Sequence, residues 1–440
     1  MKKSVISLIL ALVMVFSLTA CGGKATPAPT EKATEAPTSE TTPSVTPEET
    51  PTPDPTSTPT PVPDNAWYDE MIGRSLITTG NNYRLRKVIE KAKAGEDVYI
   101  GFIGGSITEG EGTSYQKCYA VQTAEKFAEL YGTGDNVHMI NAGVSGTPST
   151  LGVIRYERDL IEKNDGHKPD LLIIEFAVND GDDPTNGQTY EGLIRRALYS
   201  DNEPAVVLLF SVFKSKWNLQ DRCKPIGAHY ELPMVSIKDA VVPCLNNGKI
   251  TSSQFFNDEY HPKLYGHTIM ARCLENLFVK VMEEEPSAAD TPKKDPYKSS
   301  SFDNVHMITS KSTNVKVSAG SFTGTDKSIG TTRYDNAKTF PDNWKHEAKS
   351  GNKALSFTVK AKTILLTYKK SSSKSFGSVD VYVDGKKVTT INGYDAGGWN
   401  NPYTAVILNT DTVASHKVEV KMAAGSEESE FTIMAFGYGD

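Results

Sequence analysis

Four short segments carry side chains that together could transfer an acyl group. They are Gly104-Gly105-Ser106, Asn141-Ala142-Gly143, Ala177-Val178-Asn179-Asp180 and Asp258-Glu259-Tyr260-His261-Pro262. A serine hydroxyl is a weak nucleophile until a neighbouring base takes its proton. His261 is suited to that task because imidazole titrates near neutral pH. Asp258 stands three residues before His261. One tight turn would bring its carboxylate to the ring nitrogen facing away from Ser106, fixing the tautomer and stabilising the imidazolium. The tetrahedral intermediate of such a reaction carries a negative oxygen. The backbone amides of Ser106 and Gly143 and the side-chain NH2 of Asn179 are the expected donors to it.

What could bring these segments together is a sheet. Val98–Ile103, Val137–Ile140, Leu171–Phe176, Ala205–Phe210 and Met234–Ile237 are short continuous apolar runs, as in strands buried on both faces. Helical patterns separate them over Gln116–Tyr131, Gly152–Lys163 and Tyr190–Ser200, and a last helix follows over about Lys263–Glu284. This alternation predicts a mostly parallel sheet with helices on both faces. Ligand sites in such sheets lie beyond the carboxyl ends of the strands. Ser106, Gly143 and Asn179 each follow a predicted strand, and His261 precedes the last helix. His267 falls on the apolar face of that helix and reads as a core histidine. Glu109 and Glu111 read as solvated loop charges.

The order and placement of these segments resemble the blocks of the SGNH, or GDSL-like, serine hydrolase family over about Val98–Arg272. The resemblance implies a three-layer α/β/α fold of flavodoxin-like type and an esterase, lipase or deacetylase activity. By position it makes Ser106 the nucleophile, Gly143 and Asn179 the oxyanion donors, and Asp258 with His261 the rest of a triad. Two positions depart from the family pattern. Gly105 stands where the family usually has Asp, and Ala177 where it usually has Gly. Neither removes a reacting group, but both bear on loop path and pocket.

The 440-residue chain is long enough for more than one domain. Residues 1–20 read as an export signal: Lys2 and Lys3, then an apolar core from Val5 to Leu18 too short to span a membrane. The Leu18-Thr19-Ala20-Cys21 ending resembles a bacterial lipoprotein signal, which implies lipidation of Cys21. Residues 21–63 are dominated by Pro, Thr, Ser, Ala and Glu and read as a disordered linker. About 40 such residues at roughly 3.1 Å each could span on the order of 100 Å, a tether from a membrane. The catalytic domain is expected over 64–285, a polar connector over 286–300, and an all-β sandwich or jelly roll over 301–440. Within the last, "VYVDGKKV" signals a hairpin turning at Asp384-Gly385. Trp399 and Tyr403, near Gly397-Gly398 and Asn400-Asn401, are candidate substrate-binding rings, with sandwich core as the competing reading.

The formal charge of −7 and the lack of a long basic block give no reason to expect a nucleic-acid partner. No His/Cys cluster has metal-ligand spacing, so no metal or cofactor is implied. Cys118, Cys223, Cys244 and Cys273 read as buried thiols. The resulting expectation is a lipid-anchored serine esterase on the outer face of a bacterial membrane, removing small acyl groups, acetyl foremost, from polysaccharide. A lipase or short-chain ester hydrolase is the alternative within the same chemistry. A glycan-binding lipoprotein without catalysis is the alternative outside it.

Overall fold

A six-stranded sheet forms the centre of the first half, and its inner strands are apolar on both faces. The computed structural model describes residues 65–330 and 340–440; the signal segment, Cys21 and the Pro/Thr-rich linker lie outside the described residues. The strands are β1 (Leu76–Thr78), β2 (Val98–Gly104), β3 (Val137–Gly143), β4 (Leu171–Glu175), β5 (Ala205–Phe210) and β6 (Met234–Ser236). They lie in the order β1-β6-β5-β4-β2-β3. All pair in parallel except the edge strand β1, which runs antiparallel to β6. The direction of winding reverses at β2, because β3 lies on one side of it and β4 on the other. In open α/β sheets such a switch point is where a crevice opens.

Alternate side chains of each strand enter two different cores. Ile100, Phe102, Leu171, Ile173, Val207 and Leu209 face helices Ala66–Arg74, Tyr83–Lys93, Tyr119–Tyr131 and Leu264–Glu283. Ile103, Leu172, Ile174, Val206, Leu208 and Phe210 face helices Ser149–Leu160, Gln188–Leu198 and Gln220–His229. The chain therefore forms the expected α/β/α layers. Strand β1 and the helices Ala66–Arg74, Tyr83–Lys93, Ile237–Asn246 and Gln220–His229 have no counterpart among the expected elements. The last contains Pro225 and has little amphipathic contrast to reveal it.

The second half is an antiparallel sheet of seven strands: β7 (Val305–Ile308), β8 (Trp344–His346), β9 (Leu355–Ser371), β10 (Ser378–Val383), β11 (Lys386–Asn392), β12 (Trp399–Met422) and β13 (Phe431–Gly439). The β10–β11 hairpin turns at Asp384 (φ 52°) and Gly385 (φ 77°), both left-handed as the turn requires. β9 joins the apolar runs Leu355–Val359 and Thr363–Tyr368, and β12 joins Tyr403–Leu408 and Lys417–Met422, each of which reads in the sequence as a separate strand; their pairing carries three register shifts. In the first part of β9, Leu355, Phe357, Val359 and Ala361 alternate into one core. Beyond it, Ile364, Leu365 and Leu366 are all buried. Here Leu365 joins the core under Ser149–Leu160, while Ile364 and Leu366 stay in the β core. The sheet is covered on both faces at this point, which is why alternation disappears.

The two halves share a hydrophobic core. Phe302, Val305, Phe340, Leu365, Met434 and Ala435 pack with Ile154, Leu193 and Ile194, and residues 65–440 form one compact unit. The connector is pinned rather than loose. The fully buried Glu191 carboxylate accepts the amides of Tyr297 (2.5 Å), Lys298 (2.8 Å) and Ser299 (3.0 Å), and the Tyr230 hydroxyl (2.5 Å). Arg195 pairs with Asp303 at 2.8 Å, and Arg196 donates to the Val305 carbonyl at 2.7 Å.

Polar groups are buried under the strand ends. Glu175, the last residue of β4, is fully buried; Thr108 Oγ1 donates to its Oε2 at 3.3 Å. Burial raises its pKa to about 7, and burial likewise raises that of Asp180 to about 7. From the usual carboxylate range up to about pH 7, the folded chain keeps protons that the unfolded chain has lost. Stability therefore falls as pH rises through that window. Glu175→Gln should raise the unfolding free energy on the order of 3 kcal/mol at pH 8 and much less at pH 5. Denaturant titrations at the two pH values would check this, and an equal change at both would contradict it.

Candidate functional site

β2 ends at Gly104, and the chain turns at once into a short helix, Ser106–Glu109. The turn is tight against β4. A Cβ on Gly105 would lie 2.3–2.5 Å from the side-chain atoms of Asn179, so no other residue fits without displacing that amide. The Asn179 amide thus occupies the space that a side chain at position 105 would take.

Ser106, His261 and Asp258 come together in one hydrogen-bonded row. Ser106 Oγ lies 3.0 Å from His261 Nε2. On the far side of the ring, Nδ1 lies 2.9 Å from Asp258 Oδ2. Asp258 Oδ1 also accepts the backbone amides of Tyr260 (2.8 Å) and His261 (2.9 Å), so the four-residue loop closes on its own carboxylate. Burial pushes the Asp258 carboxyl up. The hydrogen bonds from His261 and from these amides outweigh that and hold it below the usual range. Ionised Asp258 accepts at Nδ1–H, which leaves Nε2 to accept from the serine.

The Gly143 amide is not available as an oxyanion donor. It donates to Asn141 Oδ1 at 2.8 Å, within the end of β3, while Asn141 Nδ2 donates to the Thr108 carbonyl at 2.8 Å. The Gly143 expectation is therefore corrected: a side chain two residues away satisfies that N–H, and spacing alone did not reveal it. Among the described residues, the Ser106 amide, the Gly146 amide and Asn179 Nδ2 are donors with no protein acceptor. Asn179 packs against Gly105.

Glu109 also differs from its reading. It is fully buried, and its carboxylate accepts the amide of Ser145 at 2.7 Å and the Ser145 hydroxyl. The loop after β3 is thus tied to the helix that begins at Ser106. Arg155, wholly buried, donates to the Gly104 carbonyl at 2.9 Å and to the Ala142 carbonyl, so one guanidinium joins the ends of β2 and β3. Asp159 balances its charge at 3.3 Å. His267 is the expected core histidine. Its Nδ1 accepts the Tyr119 amide at 3.1 Å and its Nε2 donates to the Glu111 carbonyl at 3.1 Å. Burial lowers its pKa to about 4, keeping it neutral.

Trp399, half exposed at 47%, reaches the loop after β3: a Cβ on Gly146 would lie 3.1 Å from its ring. Tyr403, further along β12, stays with its own sheet, with Lys370 Nζ 3.7 Å from its ring centre and Tyr368 6.2 Å away. The four cysteines at 118, 223, 244 and 273 are buried free thiols. Trp217, which follows β5 and was not among the expected site residues, rests its ring on Gly181 with its Cη2 3.3 Å from where a Cβ would stand. Its position after a buried strand was the available signal.

Residues 102–269 match the GDSL-like Lipase/Acylhydrolase family. Two solved structures of a two-domain esterase (CEX) active on acetylated mannans align over 84% of this chain and 98% of theirs. The one co-crystallized with mannopentaose is 29% identical with a TM-score of 0.71. The other is 28% identical with a TM-score of 0.73. No curated protein matches the chain. Residues 102–269 are accordingly a GDSL-like, SGNH-type hydrolase domain, and the chain that carries it, with its C-terminal antiparallel β domain, is a carboxylic ester hydrolase.

Proposed function

We propose that the protein is a carbohydrate acetylesterase working through Ser106, His261 and Asp258 by way of an acyl-enzyme. His261 Nε2 takes the proton as Ser106 Oγ attacks the ester carbonyl, and Asp258 stabilises the imidazolium. The alkoxide leaves with that proton as a sugar hydroxyl. Water, deprotonated by the same imidazole, then hydrolyses the acyl-serine and releases acetate. The Ser106 amide, Asn179 Nδ2 and, in place of Gly143, the Gly146 amide are the donors to the oxyanion in both halves.

The observation carrying the reaction is the Ser106–His261–Asp258 row with its 3.0 Å and 2.9 Å links. The polysaccharide part is supported by likeness to an esterase active on acetylated mannans across both domains. Trp399 brings the β domain to the rim, where an indole face suits a sugar ring; Tyr403 is a weaker partner because Lys370 lies over it. The signal segment, Cys21 and the Pro/Thr-rich linker support a lipid-anchored enzyme on the outer face of a bacterial membrane.

Acetate release from acetylated mannan and hydrolysis of 4-nitrophenyl acetate test the reaction together. Ser106→Ala should abolish both, and Asn179→Ala should lower kcat roughly 10²–10³-fold with the fold retained. Activity undiminished in folded Ser106→Ala would remove the mechanism. Expressed in a bacterial host, Cys21→Ala should move the protein from the membrane fraction to the soluble fraction. Its retention on the membrane would remove the anchor.

A further inference from the structure

The rim of the site carries a second aromatic surface, on the hydrolase domain. Trp217 stacks on Phe213 at 5.8 Å with 26° between planes. Phe213 meets Tyr260 edge-on at 5.2 Å, and Tyr260 lies 6.1 Å from the His261 ring. The row of rings is therefore continuous with the imidazole. Trp217 is 40% exposed and Tyr260 49%, with Phe213 less exposed.

This surface is held in place. Phe213 N donates to the Trp217 carbonyl at 3.1 Å and closes the loop. Lys214 N donates to the Glu259 carbonyl at 3.2 Å, joining that loop to the turn that carries His261. Leu219 N donates to the Ala177 carbonyl at 2.8 Å, joining it to the segment that carries Asn179. Asn218, buried, donates to the Ser211 carbonyl at 2.9 Å. Large rings fixed by this many backbone bonds and left open to solvent lose little entropy on binding.

We propose that Trp217 and Tyr260 form a carbohydrate subsite, a platform for a pyranose ring of the glycan next to the sugar whose ester is cleaved. Trp399 contacts the loop after β3, whereas Trp217 and Tyr260 contact the segments carrying Asn179 and His261. The reacting groups thus have aromatic rings on more than one flank. The chemistry fits a sugar better than an acyl chain. The axial C–H face of a pyranose covers an indole, while its hydroxyls need polar partners. The Lys214–Glu259 ion pair at 2.6 Å stands beside the rings to supply them. An alkyl chain would have to lie along an open surface against those charges. The inference rests on the carbohydrate reading of the site and deepens it.

Covering on the order of 50 Å² of apolar surface corresponds to about tenfold in affinity. The test measures kcat and KM on acetylated manno-oligosaccharides and on 4-nitrophenyl acetate for the parent, Trp217→Ala, Trp217→Phe and Tyr260→Ala. Trp217→Ala should lower the ratio of oligosaccharide kcat/KM to 4-nitrophenyl acetate kcat/KM about tenfold, through KM. Trp217→Phe should restore most of it, and Tyr260→Ala should lower it several-fold. If Trp217→Ala does not fold, Tyr260→Ala and Trp217→Phe decide. A parent that deacetylates the oligosaccharides, with ratios unchanged in the folded alanine variants, would overturn the platform alone. A parent that cleaves 4-nitrophenyl acetate but releases no acetate from any acetylated glycan would overturn the carbohydrate reading and the platform with it.

Discussion

One hydrogen bond, Ser106 Oγ to His261 Nε2 at 3.0 Å, joins residues 155 positions apart and makes sense of the surrounding structure. Neither partner reaches the other by local geometry. Ser106 is placed by the end of β2, and His261 by a loop that closes on Asp258 before helix Leu264–Glu283 begins. The bond therefore depends on how firmly a parallel sheet fixes its strand ends. Several buried polar contacts serve that purpose. Arg155 joins the terminal carbonyls of β2 and β3, Glu109 holds Ser145, and Asn179 packs where a Cβ on Gly105 would be. Buried polar groups are costly unless they are paired, and their concentration under this one edge fits a surface that must keep its geometry.

The β domain belongs to the same construction. Its strands do not form an independent body on a flexible connector. Leu365, Met434 and Ala435 enter the core beneath the α/β helices, and Glu191 holds three successive connector amides. A fixed interface lets Trp399 sit against Gly146 in a constant position, rather than on a tethered module that samples many. Rings on both domains could then act on one ligand, with little further ordering required when it binds.

Much of this was legible in the sequence because the physics is local. Strands buried on both faces are continuous apolar runs, and β2, β4 and β5 stand out for that reason. Ser106, Asn179 and His261 could be located as polar residues that follow strands or precede a helix. Asp384-Gly385 could be read as a turn from backbone preference alone. What escaped depends on partners distant in sequence or on competition for a single proton. The Gly143 amide is claimed by Asn141, a choice no spacing rule encodes. Glu109 resembles a surface charge until Ser145 arrives from β3. β9 and β12 read as pairs of strands because their alternation fails where a second layer covers the sheet. Trp217 lies after β5 in a loop that carries no reacting group to mark it, and its contact with Gly181 reveals its place.

The most direct measurement is covalent trapping of the nucleophile. The full chain is treated with a reactive organophosphate ester, and the modified residue is located by peptide mass spectrometry, in the parent and in His261→Ala. A single adduct on Ser106 that forms rapidly in the parent, and at least a hundredfold more slowly without the imidazole, is the expected result. Labelling of a different residue, or equal rates in the two proteins, would contradict the idea that this hydrogen bond activates the serine.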